Sequence, residues 1–247
     1  MPDREHFVVI NIDLSVAWFD LRLNLVSEIK CFETDDSTCT DLAVSPDGKR
    51  VVVSDCRNRR SDLSAATIID SSDIFNPFKC GVISDYGSRI FSCDINQSGN
   101  LFALSGFEGI AVYDLHTLKR EYSINSGCFF VKFKSDDKIL YESDGNLYLY
   151  DIYQQEDITT FIGNGSASNG NTRINQASFL DNENMILSTG SDGVIRLYDT
   201  STGKNVYAFF SHQAQNYRSS VHPNPNKSLV IAADESRMLY ILSTEVE

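Results

Sequence analysis

The sequence predicts an all-β fold built from one four-stranded unit repeated about six times, on three observations. First, one pattern recurs along the chain: short apolar strand, polar turn, apolar strand, tight Asp or Gly turn, then a strand ending in an aromatic or apolar residue and Asp. Second, the anchors of that ending are Asp20, Asp70, Asp114, Asp151 and Asp199, with Ser243 at the equivalent place in the last copy. They fall 50, 44, 37, 48 and 44 residues apart. Third, the strands alternate residues meant for the interior, such as Ile195 and Leu197, with residues meant for the outside, such as Val194 and Arg196. A side-chain period of two is the mark of a strand. A four-stranded sheet cannot bury both faces alone, so such units stack.

The copies run roughly over 7–32, 38–81, 89–124, 128–162, 174–210 and 217–244, and the chain is read as a single domain, 1–247. The fifth reads ASFLDNENMILSTGSDGVIRLYDTSTGKNVYAFF and the third CDINQSGNLFALSGFEGIAVYDLHTLKREYSI. The fourth reads VKFKSDDKILYESDGNLYLYDIYQQEDITTFI, and the second opens LAVSPDGKRVVVSD. The Ser-Pro-Asp-Gly turn, the GSDGVIRLYD run and the Thr-Gly that follows it resemble WD40 repeats. That family's period is about 40–45 residues. The resemblance implies a WD40-type β-propeller of about six blades, whose work is to bind other macromolecules. At least five four-stranded blades are expected, without a helical domain of more than about three turns.

Departures from the family pattern are specific. Tyr113, Tyr150 and Tyr198 stand where Trp is usual, and Phe19 and Ile69 replace it in the first two copies. The Gly-His pair that opens a repeat is absent, with Ser211-His212 the nearest relic. Asp13 and Asp192 keep the tight-turn position. A divergent, less rigid propeller is therefore expected. The first copy starts at its second strand, FVVINI, and the last stops after its third, MLYILS. Three strands, four complete blades and three strands leave an incomplete or open ring. Either an N-terminal piece closes it, or a partner inserts a strand, giving β-strand addition and an obligate subunit.

Composition narrows the function classes. The net charge of −13 argues against a generic nucleic-acid or acidic-membrane surface. No apolar run approaches the roughly 20 residues that cross a bilayer. The charged start, Met-Pro-Asp-Arg-Glu-His, has no apolar stretch behind it. Cys31, Cys39, Cys56, Cys80, Cys93 and Cys128 form no CxxC pair, so no zinc site or other cofactor is expected. Reduced thiols in the cytoplasm or nucleus are the expectation. There is no GxSxG, P-loop, GxGxxG after a strand or HExxH. The histidines His6, His116, His212 and His222 are scattered among different copies. A non-enzymatic protein is expected. The alternative, a propeller enzyme, would need ionisable groups converging in the central channel.

The arginines point to a candidate site. In WD40-like blades the loops between strands two and three, and those between blades, share one face, the top. Arg57, Arg59 and Arg60 fall in one long top loop, and Arg89, Arg173 and Arg218 sit just before first strands. Arg237 lies in the last top turn. Lys49, Lys138 and Lys227 take bottom turns instead. The favoured function is a scaffold subunit that binds other proteins in an intracellular multiprotein complex. A planar guanidinium suits carboxylate or phosphate recognition, so the alternative is a recognition module for an acidic or phosphorylated peptide, for example a ubiquitin-ligase substrate receptor. The competing reading is that these arginines pair with acids of the same face, among them Asp55, Asp62 and Asp192, as solvated ion pairs. Two motifs are fainter. NRRSDLSAAT is similar to the paired-Arg motif of phosphoinositide-binding propellers, with Asn58 in place of the aromatic residue. WFDLR, residues 18–22, is similar to the Trp-Asp-x-Arg ending that some cullin-ligase substrate receptors show their adaptor, implying a contact through Asp20 and Arg22. GNGSASNGNT, residues 163–172, reads as a loose top connector.

Overall fold

The computed structural model describes residues 1, 3, 5–11, 13–32, 39–55, 66–162, 173–180, 184–210, 220–223, 229–233 and 239–243. Among them the chain forms six antiparallel sheets and no helix. Sheet one holds β1 (His6–Ile10), β2 (Ser15–Asp20) and β3 (Leu25–Lys30). Sheet two holds β4 (Cys39–Val44), β5 (Arg50–Asp55), β6 (Ala66–Asp70) and β7 (Phe78–Ile83). Sheet three holds β8 (Ile90–Ile95), β9 (Leu101–Gly106), β10 (Gly109–Asp114) and β11 (Arg120–Ile124). Sheet four is β12 (Val131–Phe133), β13 (Lys138–Ser143), β14 (Asn146–Asp151) and β15 (Glu156–Phe161). Sheet five is β16 (Ile174–Leu180), β17 (Met185–Gly190), β18 (Val194–Asp199) and β19 (Asn205–Phe210). Sheet six is β20 (Ser220–Pro223), β21 (Leu229–Ala233) and β22 (Leu239–Ser243). In every sheet the strands lie in chain order. Among the described residues four sheets have four strands, and the first and last have three, against the expected five or more with four. The chain divides into two compact units, Met1–Asp136 and Asp137–Glu247.

Local chemistry explains the meanders. In the first turn of sheet two, Gly48 adopts φ 73° and donates its N–H to the Ser45 carbonyl at 2.8 Å. The Ser45 hydroxyl donates to Asp47 at 2.7 Å, and the Lys49 N–H donates to the same carboxylate at 3.0 Å. The third-to-fourth-strand pairings of sheets one to five share another device. Each carries a bulge just before the anchor Asp, between Trp18/Phe19, Ile68/Ile69, Val112/Tyr113, Leu149/Tyr150 and Leu197/Tyr198. One extra residue there sharpens the twist at the sheet corner.

Burial grades from one side of each sheet to the other. Second and third strands are buried nearly throughout, as in β9 and β10, whereas the fourth strands β7, β11 and β15 are largely exposed. Period-two alternation splits the second and third strands of sheet two between two cores. Val51, Val53 and Ile69 join Val16 and Trp18 of sheet one. Val52, Ala66 and Ile68 join Ile90, Cys93 and Phe102 of sheet three. Both faces of sheet two are therefore buried, each Val or Ile contributing about 1.5–3 kcal/mol. In the other unit, sheet five buries Leu180, Leu187 and Ile195 together. Double-sided burial also corrects the outward placement expected of Val194 and Arg196, which are 2% and 3% exposed. A third strand has no solvent face here.

The aromatic substitutes fill the anchor positions unevenly. Tyr113, Tyr198 and Ile69 are fully buried, while Phe19 and Tyr150 are half-buried. Tyr113 stacks on Phe102 with ring centroids 5.2 Å apart. By the same grading, β2 has the burial of a third strand and β3 that of a fourth, so β1 holds the second-strand place. All five of its residues are only half-buried, unlike the second strands β5, β9, β13 and β17.

Candidate functional site: a rigid aromatic corner beside Arg89

Arg89 lies just before β8, as expected, and is exposed. It has no ion pair among the described residues. The antiparallel register pairs Ile90 with Gly106, which sets Arg89 opposite Phe107 in the turn between β9 and β10. Phe107 packs edge-on against Phe91 at 4.7 Å, and Phe91 stacks on Phe129 at 4.9 Å. With centroids this close the rings fill one another's space and leave no cage between them. They form an apolar cluster, with Phe107 58% exposed.

Backbone contacts hold this corner. A Cβ on Gly106 would stand 1.9 Å from the Arg89 carbonyl oxygen, and one on Gly127 would stand 2.6 Å from that of Phe107. The Cys128 N–H donates to the Gly106 carbonyl at 3.0 Å, and the buried Tyr86 hydroxyl donates to the Gly109 carbonyl. Burial pushes the Tyr86 phenol well above its ordinary range.

Arg173, in the other unit, lies just before β16 and is half-buried. Its N–H donates to the Ser191 hydroxyl at 2.9 Å, and its carbonyl accepts the Ser191 N–H at 2.8 Å. Arg57, Arg59, Arg60 and Arg218 lie outside the described residues, as do Arg237 and the 163–172 connector. Asp20 has a local task. Its carboxylate accepts the N–H of Arg22 at 2.8 Å and of Asn24 at 2.9 Å, and the Asn24 side-chain amide at 2.8 Å. Asp114, Asp151 and Asp199 cap the equivalent turns in the same way. Arg22 is exposed at the tip.

Other cations that sequence reasoning passed over have internal partners. Arg196 forks onto Asp192, at 3.2 Å from Nη1 and 2.5 Å from Nη2. Arg50 meets Asp70 at 2.6 Å. Arg120 donates to the Tyr113 hydroxyl at 2.8 Å and to the Asp85 carbonyl at 2.8 Å. On the first strands of the first unit, Lys132 meets Asp94 at 3.1 Å. Asp94 also accepts the Phe133 N–H at 2.7 Å, and Asp41 accepts the Cys93 N–H at 3.1 Å and the Ser92 hydroxyl at 2.7 Å. The Asp94 and Asp41 carboxylates hold Lys132 protonated, its pKa raised. Asp94 and Lys132 share one offset before the first turn of consecutive copies, the one sequence signal that could have found this pair.

Burial pushes the thiols of Cys31 and Cys39 up to about 12, which leaves them protonated at neutral pH. Among the described residues no group of three His, Cys, Asp or Glu could hold a metal ion, and no helix is long and apolar enough to cross a membrane.

Residues 156–199 match the family model for the WD domain, G-beta repeat. This segment is similar to a WD40 repeat. It runs from β15, the outer strand of sheet four, through β16, β17 and β18, and ends on the anchor Asp199. No curated protein matches the chain. A WD40 repeat implies a protein–protein interaction module.

Proposed function

We propose that the protein is a non-catalytic scaffold subunit of a multiprotein complex of the cytoplasm or nucleus. The observation that carries this reading is β1. Among the described residues it pairs with β2 alone, although it holds a second-strand place. Among the described residues its outer N–H and C=O groups form a sheet edge, and such an edge is a template for a strand from another chain. The test is purification of the protein at native expression, followed by co-expression of residues 1–247 with the subunit recovered. Stoichiometric, salt-stable partners and a sharper unfolding transition in the co-expressed pair support the scaffold. A monodisperse, sharply unfolding protein that recovers no partner refutes it.

Arg89 favours a second reading, recognition of an acidic or phosphorylated peptide through Arg57, Arg59, Arg60, Arg89, Arg173 and Arg218. It is exposed and without an ion pair among the described residues. Replacing Arg59, Arg60 and Arg89 with Ala separates the two readings: a phosphopeptide reader loses its ligand, whereas a scaffold keeps its stoichiometric partner.

A further inference from the structure

Three Asp–Gly pairs stand in the chain, Asp47–Gly48, Asp144–Gly145 and Asp192–Gly193. The main chain is chemically vulnerable at such a pair, because a glycine has no Cβ to obstruct attack by its own nitrogen. That nitrogen bonds to Cγ of the aspartic acid. The Cγ–OH bond breaks, and the hydroxyl leaves as water with the N–H proton, closing a five-membered succinimide. Water then adds at the former main-chain carbonyl and breaks its bond to nitrogen. The main chain now runs through the old side chain, as isoaspartate. One water is lost and one regained, so the mass is unchanged and no oxidant or other co-reactant is needed.

The three pairs are held differently at the carboxylate. Asp47 accepts the Ser45 hydroxyl at 2.7 Å and the Lys49 N–H at 3.0 Å. Asp192 is forked by Arg196 and accepts the Val194 N–H at 3.2 Å. Asp144 is exposed, and its carboxylate has neither hydrogen bond nor ion pair among the described residues. It alone is free to turn toward the next nitrogen.

The nitrogens differ as well. Gly48 and Gly193 donate to main-chain carbonyls, those of Ser45 at 2.8 Å and Gly190 at 3.1 Å. Gly145 donates to a side chain instead, Oε1 of Glu142 at 2.9 Å, and Glu142 is 3% exposed. Ser143 pairs with Asn146 across this turn, and Asp144 and Gly145 take φ 51° and 78°. Two positive φ values in a two-residue hairpin loop make a type I′ turn. Asp144 is therefore strained, since the left-handed region disfavours a residue with a Cβ. The dihedrals of such a turn also set Cβ and the next nitrogen on opposite sides of the Cα–C bond. Ring closure has to wait until the turn opens, and the bond from Gly145 to Glu142 opposes that opening.

We propose that Asp144–Gly145 is a modification site, converting to isoaspartate ahead of the other two Asp–Gly pairs, and that Glu142 restrains the conversion by holding the Gly145 N–H. Glu142 is a positioning residue here and takes no part in the bond changes. The product carries one more main-chain atom within the two-residue loop, which the pairing of Ser143 with Asn146 does not accommodate.

The test ages the full chain for weeks at neutral pH and body temperature, and locates isoaspartate by electron-transfer fragmentation of its peptides. Asn164–Gly165 and Asn169–Gly170, outside the described residues, are told apart because deamidation changes the mass. In wild type the product should accumulate at 144 before 47 and 192. Glu142→Met keeps the buried volume and removes the acceptor, so conversion at 144 should rise about tenfold, the worth of one such hydrogen bond, with 47 and 192 unchanged. Glu142→Gln keeps an oxygen in place and should stay within about twofold of wild type. Conversion at 47 or 192 as fast as at 144 in wild type overturns the site. A Met variant that melts like wild type and converts no faster at 144 overturns the restraint. If the Met variant unfolds, all three pairs rise together; the Gln variant then decides, and a tenfold rise at 144 in that variant also overturns the restraint.

Discussion

Asp192 and Arg196 should respond to truncation unequally, and the inequality follows from their exposures. The Arg196 side chain is 3% exposed and that of Asp192 is 18%. Asp192→Ala strands a guanidinium in the interior of sheet five, where water cannot reach it. Breaking a buried pair this way costs about 3–5 kcal/mol. Arg196→Ala leaves a carboxylate that keeps the Val194 N–H at 3.2 Å and lies nearer to water, so its cost is smaller, about 1–3 kcal/mol, the scale of one buried polar group left short of a partner. Combining Asp192→Ala with Arg196→Met removes both charges and retains most of the stem's apolar volume. That variant should lie within about 2 kcal/mol of wild type, because replacing a buried pair by apolar groups is often near neutral. Urea unfolding followed by far-ultraviolet circular dichroism reads all three. The reasoning is refuted if Asp192→Ala costs less than Arg196→Ala, or if the double variant is no better than the worse single one.

The glycines offer a second comparison. Gly106→Ala drives a Cβ to 1.9 Å from a backbone carbonyl and should cost about 3 kcal/mol or more, whereas Gly81→Ala meets only the mobile end of Leu118 and should cost about 1–2 kcal/mol; thermal melts of the two variants check the order. Acid should loosen the turns. Hydrogen bonds lower the Asp20, Asp114 and Asp199 carboxyls below 3.8. Their stabilisation is present above pH 3.8 and is lost as the pH falls through the lower folded-state values, so the urea midpoint should fall as the pH drops below 3.8, and fall less in an Asp114→Asn variant. Thiol labelling should be selective: of the five described cysteines, exposed Cys80 should react with maleimide first, and Cys31, Cys93 and Cys128 only on unfolding. Arg89→Glu should weaken binding of an acidic peptide while leaving the melting temperature nearly unchanged, measured by calorimetry and scanning fluorimetry.

The sheets were legible in the sequence because their punctuation is chemical. Asp and Gly at fixed offsets make the turns, and the third strands of the first five copies end on Asp20, Asp70, Asp114, Asp151 and Asp199, where the anchors indicated. The three-stranded first and last sheets could also be counted from the sequence. Arg196 was misread, because alternation separates two faces of a strand but cannot tell that neighbouring sheets bury both. The aromatic corner was missed for a related reason. Phe91, Phe107 and Phe129 are far apart in sequence and meet through the register of β8 with β9 and the close approach at Gly127.

The segment that matches the WD40 model begins on the outer strand of one sheet and closes on the third strand of the next, and this offset bears on how such a chain can change length. Asp151 and Asp199 cap equivalent turns, so excising residues 152–199 would join Asp151 directly to Thr200-Ser201-Thr202-Gly203. The N–H groups that Asp199 now accepts would pass to Asp151, and β19 would take over the edge that β15 leaves. One whole sheet would vanish and no sheet would be left short of a strand. A gene of this kind can therefore gain or lose units by recombination between its own copies, with every join falling in an Asp-capped turn that already accepts different residues in each of its occurrences.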